Sequence, residues 1–176
     1  PNLEGEEKNF VNCPGFVGGD RTSIELPEVQ RNILKALKKA GKKVIFVNCS
    51  GSAMALVPET QSCDAILQAW YPGQAGGTAV ADIIFGDYNP SGKLPVTFYK
   101  NTEQLPDFED YSMKGRTYRY MTESPLFPFG YGLSYTTFQF SKAGLNKRVA
   151  TINQPVQFKV NVKNTGKRDG TEVVQI

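Results

Sequence analysis

The chain has 176 residues, of which 40% are hydrophobic and 21% are charged, and its formal net charge is +3. It is too short for a (β/α)8 barrel, which needs about 250 residues, and its composition is that of a folded protein rather than a disordered one. The small, dispersed charge argues against a nucleic-acid binder, and the apolar runs are too short to span a membrane. The chain contains no histidine, which excludes Ser-His-Asp and Cys-His catalysis and most zinc sites within it. Because the first residue is Pro rather than Met, we expect the natural N-terminus to lie further upstream.

The first half of the chain alternates between helical and strand-like patterns. Pro27 suits the first position of a helix and Gly41 its end. Residues 43–49 and 65–70 have the apolar character typical of strands buried on both faces of a parallel sheet, and helices are predicted at 53–57 and 78–85. The helix after Pro27 has a predicted apolar stripe that consists of Leu26, Val29, Ile33, Leu37 and Ala40. This alternation predicts an open, mostly parallel α/β sheet with helices on both faces, of the flavodoxin-like type.

Two loops follow the predicted strands, at the edge of the sheet where ligands of such folds bind. They cover residues 50–52 and 71–77. The second contains Gly73, Gly76 and Gly77 and leads into a predicted helix, as phosphate-binding loops do. Its spacing is not G-x-G-x-x-G, so the pattern favours close packing of strand and helix over nucleotide binding.

The second half of the chain changes character at residue 88. Residues 94–99 predict a strand, and residues 106–135 form a long aromatic segment that Arg116 and Arg119 are expected to hold in place. Residues 156–162 alternate strictly between apolar and polar, which predicts a strand, followed by a turn at 164–167 and another strand at 171–176. From residue 136 these elements predict an incomplete β-sandwich, since a complete one needs about seven strands.

An acidic cluster of Glu4, Glu6 and Glu7 lies near the start of the chain. Its composition is that of a solvated loop. Glycoside hydrolysis, however, needs two carboxyl groups that flank the bond, one to protonate the leaving oxygen and one to attack or to activate water. Burial over a pocket would raise the pKa of such a carboxyl group, as an acid requires. From the residues alone, both interpretations of the cluster stay open.

Several longer motifs occur in a fixed order over residues 3–140. They are Leu3-Glu4-Gly5-Glu6-Glu7, Gly18-Gly19-Asp20-Arg21-Thr22, Ile24-Glu25-Leu26-Pro27, Trp70-Tyr71-Pro72-Gly73-Gln74-Ala75-Gly76-Gly77, Asn89-Pro90-Ser91-Gly92-Lys93-Leu94-Pro95, Gly115-Arg116-Thr117-Tyr118-Arg119-Tyr120 and Phe127-Pro128-Phe129-Gly130-Tyr131-Gly132-Leu133-Ser134-Tyr135. In combination they resemble glycoside hydrolase family 3, the family of β-glucosidases and β-xylosidases. Residues 160–174 resemble the fibronectin type III-like module that follows in many members.

The resemblance implies a domain organisation and a catalytic residue. Residues 1–135 would be the family's C-terminal α/β sandwich domain without its first strands, and residues 136–176 the start of the fibronectin type III-like sandwich. In the family, an N-terminal barrel carries the nucleophilic Asp, and the α/β domain supplies the acid/base Glu on a loop. Alignment on that loop selects Glu6. Glu4 and Glu7 are the alternatives, because the fourth residue of the motif is Glu7 rather than Gly.

The resemblance further implies a retaining exo-β-glycosidase that hydrolyses terminal β-linked xylose or glucose of plant-type oligosaccharides. The expected partners are this oligosaccharide substrate and the protein's own N-terminal barrel, with no nucleic acid and no membrane span. The resemblance implies no metal and no organic cofactor, and a periplasmic or secreted location. Without the barrel, we expect the chain alone to be inactive.

Two alternatives to the enzyme hypothesis follow from other features of the sequence. One is a non-catalytic carbohydrate-binding module that uses exposed aromatic residues such as Trp70, Tyr71 and Tyr111. The other is a flavodoxin-like nucleotide binder that uses the glycine-rich loop at residues 73–77.

Overall fold

The computed structural model describes residues 14–17 and 20–176. Its helices are α1 (Glu28–Lys39), α2 (Val57–Ser62), α3 (Gly76–Phe85) and α4 (Thr117–Tyr120), with a 3-10 turn at Thr102–Gln104. Its strands are β1 (Phe16–Val17), β2 (Asp20–Arg21), β3 (Ile45–Asn48), β4 (Ala65–Gln68), β5 (Phe138–Phe140), β6 (Gly144–Leu145), β7 (Phe158–Lys159) and β8 (Val162–Asn164). The described strands form a parallel pair, β3 with β4, and three antiparallel pairs, β1 with β2, β5 with β8 and β6 with β7. No helix in this part of the chain is long and apolar enough to cross a bilayer.

Helix α1 confirms the helix predicted after Leu26. Pro27 is its N-cap rather than its first residue, and the helix has an acidic residue in its first turn and basic residues in its last, which complement the helix dipole. Of the predicted apolar stripe, Leu26 is buried, whereas the other four members, Val29, Ile33, Leu37 and Ala40, are exposed. The helix instead buries Leu34 in the hydrophobic cluster of its unit.

Strands β3 and β4 confirm the predicted parallel pairing. Their register runs from Ile45 opposite Ala65 to Asn48 opposite Gln68. The prediction that both faces are buried is wrong, since Ile45 is 48% exposed. Strand β4 ends two residues earlier than predicted, before Trp70, whose φ of 55° is incompatible with an extended strand.

The helix predicted at 53–57 is wrong in its position. Ala55 instead pairs with Glu25 in a parallel bridge, and α2 begins at Val57 with Pro58 in its first turn, where proline is well tolerated. The helix predicted at 78–85 is confirmed as α3, which begins two residues earlier at Gly76.

The chain divides into two compact units. The first comprises the described residues up to Val80 together with Leu94–Tyr131. Its hydrophobic cluster is built from residues far apart in the sequence, namely Leu26, Leu34, Val44, Met54, Leu56 and Phe98, with Trp70 and Phe127 packed against it. Phe98 is fully buried, and its ring lies 6.1 Å from that of Trp70 and 6.4 Å from that of Phe127. Fully burying a side chain of this size stabilises a fold by about 1.5–3 kcal/mol.

The strand predicted at 94–99 is reduced to an isolated antiparallel bridge between Phe98 and Phe127. The Leu94 amide donates to the Tyr131 carbonyl at 2.8 Å, so the segment is anchored at two points. Pro95 has no N–H to continue the ladder between them. The aromatic segment after residue 106 is irregular as predicted, apart from the single turn of α4.

The second unit comprises Ala81–Lys93 and Gly132–Ile176. The strand predicted at 156–162 is divided, because β7 pairs with β6 while β8 pairs with β5. The turn at 164–167 follows β8, with the Asn164 Oδ1 accepting a hydrogen bond from the Gly166 amide at 3.0 Å. The strand predicted at 171–176 is wrong, since those residues form none. The domain boundary at residue 135 and the fibronectin-like sandwich stay predictions.

Candidate functional site

The predicted acid/base residue Glu6 and its alternatives Glu4 and Glu7 lie outside the described residues. What the structure describes of this region is the hairpin that follows it. Strands β1 and β2 pair with Phe16 opposite Arg21, Phe16 is buried, and the Arg21 guanidinium lies 4.9 Å from the centre of its ring. The Thr22 amide closes the hairpin by donating to the Gly15 carbonyl at 2.8 Å. A buried aromatic ring therefore anchors the hairpin downstream of the acidic cluster.

A tie between Glu25 and Thr102 holds the residues that follow the hairpin. The Glu25 Oε1 accepts the Thr102 amide at 2.8 Å, and its Oε2 accepts the Thr102 hydroxyl at 2.5 Å. The same hydroxyl oxygen accepts the Ile24 amide at 3.1 Å. Sequence reasoning missed this tie, and no signal could have found it, because the partners are 77 positions apart.

The carboxyl ends of β3 and β4 carry a buried polar network. The Asn48 Nδ2 donates to the Ser50 hydroxyl at 3.0 Å and to the Gln68 Oε1 at 2.6 Å. The Ser50 hydroxyl in turn donates to the Ser52 carbonyl at 2.9 Å. These groups bond to one another and fix the loop at residues 50–52. Their role here is structural, since buried polar groups need such partners.

The glycine-rich loop after β4 packs tightly against its own proline. Gly73 has φ of 69°, a left-handed conformation that glycine adopts at little cost. Gly76 begins α3, and a Cβ at this position would lie 2.5 Å from the Pro72 Cγ. This close approach supports the packing interpretation of the loop over nucleotide binding.

The aromatic residues proposed for a carbohydrate-binding module differ in their surroundings. The Trp70 ring meets the buried Phe98 edge-on, at an interplanar angle of 73°, and so belongs to the core of its unit. Tyr71 is exposed and lies over Gly51, where a Cβ would come within 2.7 Å of the tyrosine ring. Tyr111 is 90% exposed. Of the three, Trp70 therefore does not fit an exposed sugar platform.

Arg116 organises the loop that displays Tyr111, as the sequence predicted. Its guanidinium donates to the Ser112 carbonyl at 2.8 Å, to the Asp107 carbonyl at 3.1 Å and to the Asp110 carbonyl. Arg119, the other arginine expected to hold this segment in place, contacts an aromatic ring. Its guanidinium lies 6.0 Å from the centre of the Tyr120 ring.

The motifs around Asn89 and Ser134 meet in the second unit. The Asn89 Oδ1 accepts the Ser134 hydroxyl at 3.0 Å and the Tyr135 amide at 2.7 Å. The Lys93 ammonium donates to the Gly132 carbonyl at 2.8 Å and pairs with the Glu172 carboxylate at 3.0 Å. These specific sequence runs thus act by holding the chain together rather than by supplying chemistry.

Among the carboxyl groups that the structure describes, every clear pKa shift is downward. The shifted groups are Glu25, Asp64, Asp110 and Glu172, and the pKa of each is lowered. Burial alone would raise the pKa of Glu25, but hydrogen bonds from Ser23 and Thr102 outweigh it and bring the pKa to about 2. A general acid at neutral pH needs a raised pKa, so none of these four groups suits that role. Among the described residues, no group of three or more His, Cys, Asp or Glu side chains could hold a metal ion.

Comparison with known proteins identifies the class. The sequence profile of the glycosyl hydrolase family 3 C-terminal domain matches residues 2–135. A xylan 1,4-beta-xylosidase of Xylanibacter ruminicola is 67% identical over the whole chain, which covers 20% of that protein. A periplasmic beta-glucosidase of Salmonella typhimurium is 45% identical over 89% of the chain, which covers 22% of that protein.

Solved structures show the same relationship. A β-glucosidase from Erythrobacter marinus has a TM-score of 0.77 at 37% identity, over 95% of this chain and 22% of that one. A β-glucosidase from Listeria innocua, in complex with isofagomine, has a TM-score of 0.69 at 30% identity, over 85% of this chain and 23% of that one. The chain therefore belongs to the glycosyl hydrolase family 3 C-terminal domain family and shares the fold of these glycosidases. It spans about a fifth of the length of the curated relatives it matches.

Proposed function

We propose that this chain is the C-terminal part of a retaining exo-acting β-glycosidase that removes terminal β-linked xylose or glucose from plant-type oligosaccharides. The observation that carries the proposal is the 67% identity, over the full chain, to a protein named as a xylan 1,4-beta-xylosidase. Retention requires two carboxyl groups about 5–5.5 Å apart and a covalent glycosyl intermediate. The protein's own N-terminal barrel would supply the nucleophilic Asp.

The chain's own contribution would be the acid/base residue Glu6, on the loop that precedes the β1–β2 hairpin. Buried Phe16 and the closing bond from Thr22 to Gly15 support this proposal, because they anchor the loop's C-terminal end. Glu25, whose pKa is lowered to about 2, is ionised at neutral pH and is a poor candidate for the acid.

The finer architecture is part of the same proposal. A flavodoxin-like sandwich would complete the sheet with strands that precede this chain in the intact protein, and these would lie beside β3. The exposed apolar residues Ile45 on β3 and Val29 and Ile33 on α1 support this arrangement, because such surfaces are normally covered. We further propose that the α/β domain ends near residue 135, before a fibronectin type III-like sandwich.

A periplasmic or secreted location completes the proposal. The supporting observation is the 45% identity to a protein named as a periplasmic beta-glucosidase. Extended plant polysaccharides are met outside the cytoplasm, which fits the proposed substrates.

The test of the catalytic assignment is Glu6→Ala in the intact protein. An acid/base residue protonates the leaving group and then deprotonates water. Hydrolysis of xylobiose or cellobiose, whose leaving groups need a proton, should fall by about 10²- to 10⁴-fold. The kcat/KM for a dinitrophenyl glycoside should survive, because this leaving group needs little protonation. Added azide should restore turnover and yield a glycosyl azide.

The matched controls are Glu4→Ala and Glu7→Ala, which should cost less and show no azide rescue. If one of these variants shows the rescue and Glu6→Ala does not, the acid is that residue. If none of the three shows it, the acid lies outside the loop and the proposed function of this chain fails.

A further inference from the structure

Residues 23–25, which we call the stem, follow the β1–β2 hairpin and are fixed on two sides. On one side, the Ala55 amide donates to the Ile24 carbonyl at 2.8 Å, within the parallel bridge between Glu25 and Ala55. On the other side stands Thr102, at the start of the 3-10 turn. The Ile24 backbone is therefore bonded through both its N–H and its C=O to segments that follow much later in the chain.

The Thr102 side of this arrangement is a closed set of hydrogen bonds. The Thr102 hydroxyl accepts the Ile24 amide and donates to Glu25, while the Thr102 amide donates to the second oxygen of the same carboxylate. The Ser23 hydroxyl also donates to Glu25. Hydrogen bonds to an ionised acceptor are stronger than those between neutral groups.

This set does not belong to the hydrophobic cluster of its unit, which is built from Leu26, Leu34, Val44, Met54, Leu56 and Phe98. Glu25 is only half-buried. What the bonds fix is the path of the backbone at residues 23–25, three positions after strand β2 begins at Asp20. These bonds therefore fix the point at which the chain leaves the β1–β2 hairpin.

We propose that Glu25 and Thr102 are positioning residues for the acid/base loop, holding its stem so that the acid reaches the glycosidic oxygen. The inference rests on the proposed function, since it takes the acid to lie in residues 1–13. A general acid must come within hydrogen-bond reach of the oxygen that it protonates, and a misplacement of about 1 Å can cost about 10²-fold in rate. A clamp on the stem therefore affects proton delivery more than sugar binding.

The test uses Thr102→Val in the intact protein. Valine keeps the shape of threonine but removes the hydroxyl that joins Ile24 to Glu25. We expect kcat on xylobiose or cellobiose to fall about 10-fold, a part of the about 10²- to 10⁴-fold that an acid supplies. The KM for the disaccharide and the kcat/KM for a dinitrophenyl glycoside should both stay within about twofold of the values for the unchanged protein. Thr102→Ser retains the hydroxyl and should restore the rate.

A purely structural role would move different quantities. If Thr102→Val lowers the rates on both kinds of substrate alike, or if Thr102→Ser fails to restore the rate on the disaccharide, the positioning role is overturned. Glu25→Ala is the second variant, and it should show the same leaving-group dependence. Equal loss on both substrates in that variant would also overturn the role.

Hydrogen exchange separates this inference from the proposed function. In Thr102→Val, amide exchange at residues 15–17 and 20–25 should rise while exchange at β3 stays unchanged. Unchanged exchange at the stem overturns the clamp, whatever the kinetics show. If the Glu4, Glu6 and Glu7 variants all lack leaving-group dependence, the proposed function fails and the catalytic part of this inference falls with it. If one of them shows it and Thr102→Val does not, only the clamp is overturned.

Discussion

Two adjacent glycines at the start of α3 should respond oppositely to the same substitution. Gly76 is buried, and a Cβ added there would lie 2.5 Å from the Pro72 Cγ and 2.6 Å from its Cβ. Gly77 is exposed, and a Cβ there would meet nothing within 4 Å. Gly76→Ala and Gly77→Ala therefore form a matched pair that separates steric packing from the general effect of removing a helical glycine.

The magnitudes follow from these contacts. Carbon atoms pack best at about 3.5–4.0 Å, so the new methyl group at Gly76 requires a shift of about 1 Å from the rigid ring of Pro72. Overpacking of this kind costs about 1–3 kcal/mol. At Gly77 the free energy of unfolding should instead rise by about 0.4–1 kcal/mol, because alanine restricts the unfolded chain. The two variants should differ by about 1.5–4 kcal/mol.

The assay is urea denaturation followed by fluorescence. Trp70 is the only tryptophan of the chain, and its ring packs in the core of the unit that contains Gly76. The free energies of unfolding of the two variants are compared with that of the unchanged chain. Equal changes in both variants would refute the packing argument and would leave the glycine-rich loop without the steric explanation given above.

Two further predictions concern ionised groups. Arg31→Met should lower the free energy of unfolding by about 3–5 kcal/mol, because Glu59, whose side chain is 1% exposed, loses its ion-pair partner at 3.1 Å. In urea denaturation, Arg31→Met combined with Glu59→Leu should recover most of this loss. A loss below about 1 kcal/mol in the single variant would contradict the argument. A hydrogen bond from the Val44 amide, with support from two lysines, lowers the pKa of Asp64 to about 2. The stability that the ionised Asp64 carboxylate gives the fold is thus present above the usual pKa of an aspartate and is lost as pH falls from about 4 toward 2. Hydrogen exchange at Val44 should accelerate over that range relative to Ala69, and equal behaviour of the two amides would count against it.

The elements that could be predicted are those with local signals. The helix α1 has a proline at its start and a glycine after its end, and α3 ends at a glycine, so both were located to within two residues. The parallel pairing of β3 and β4 followed from their apolar, β-branched composition. These signals depend on a few neighbouring residues, and no distant partner is needed to interpret them.

The features that could not be predicted depend on distant partners. The spacing of Val29, Ile33 and Leu37 identifies an apolar face but not what covers it, and the structure leaves this face exposed. Residues 156–162 alternate as one strand would, yet two different partners divide them between β7 and β8. For the candidate site, motif resemblance identified the loop, whereas the Glu25–Thr102 tie required the folded chain.

The second unit is built from two separate stretches of the chain, and this limits where segments can be exchanged between related proteins. Its two stretches, Ala81–Lys93 and Gly132–Ile176, are interrupted in the sequence by a segment of the other unit. The Tyr135 hydroxyl donates to the Ile83 carbonyl at 2.8 Å, and the Asn89 Nδ2 donates to the Asp169 carbonyl at 2.9 Å. A single crossover near residue 135 would therefore separate partners that fold together. Residues 132–176 can be exchanged between relatives without loss of these contacts only if residues 81–93 are exchanged with them.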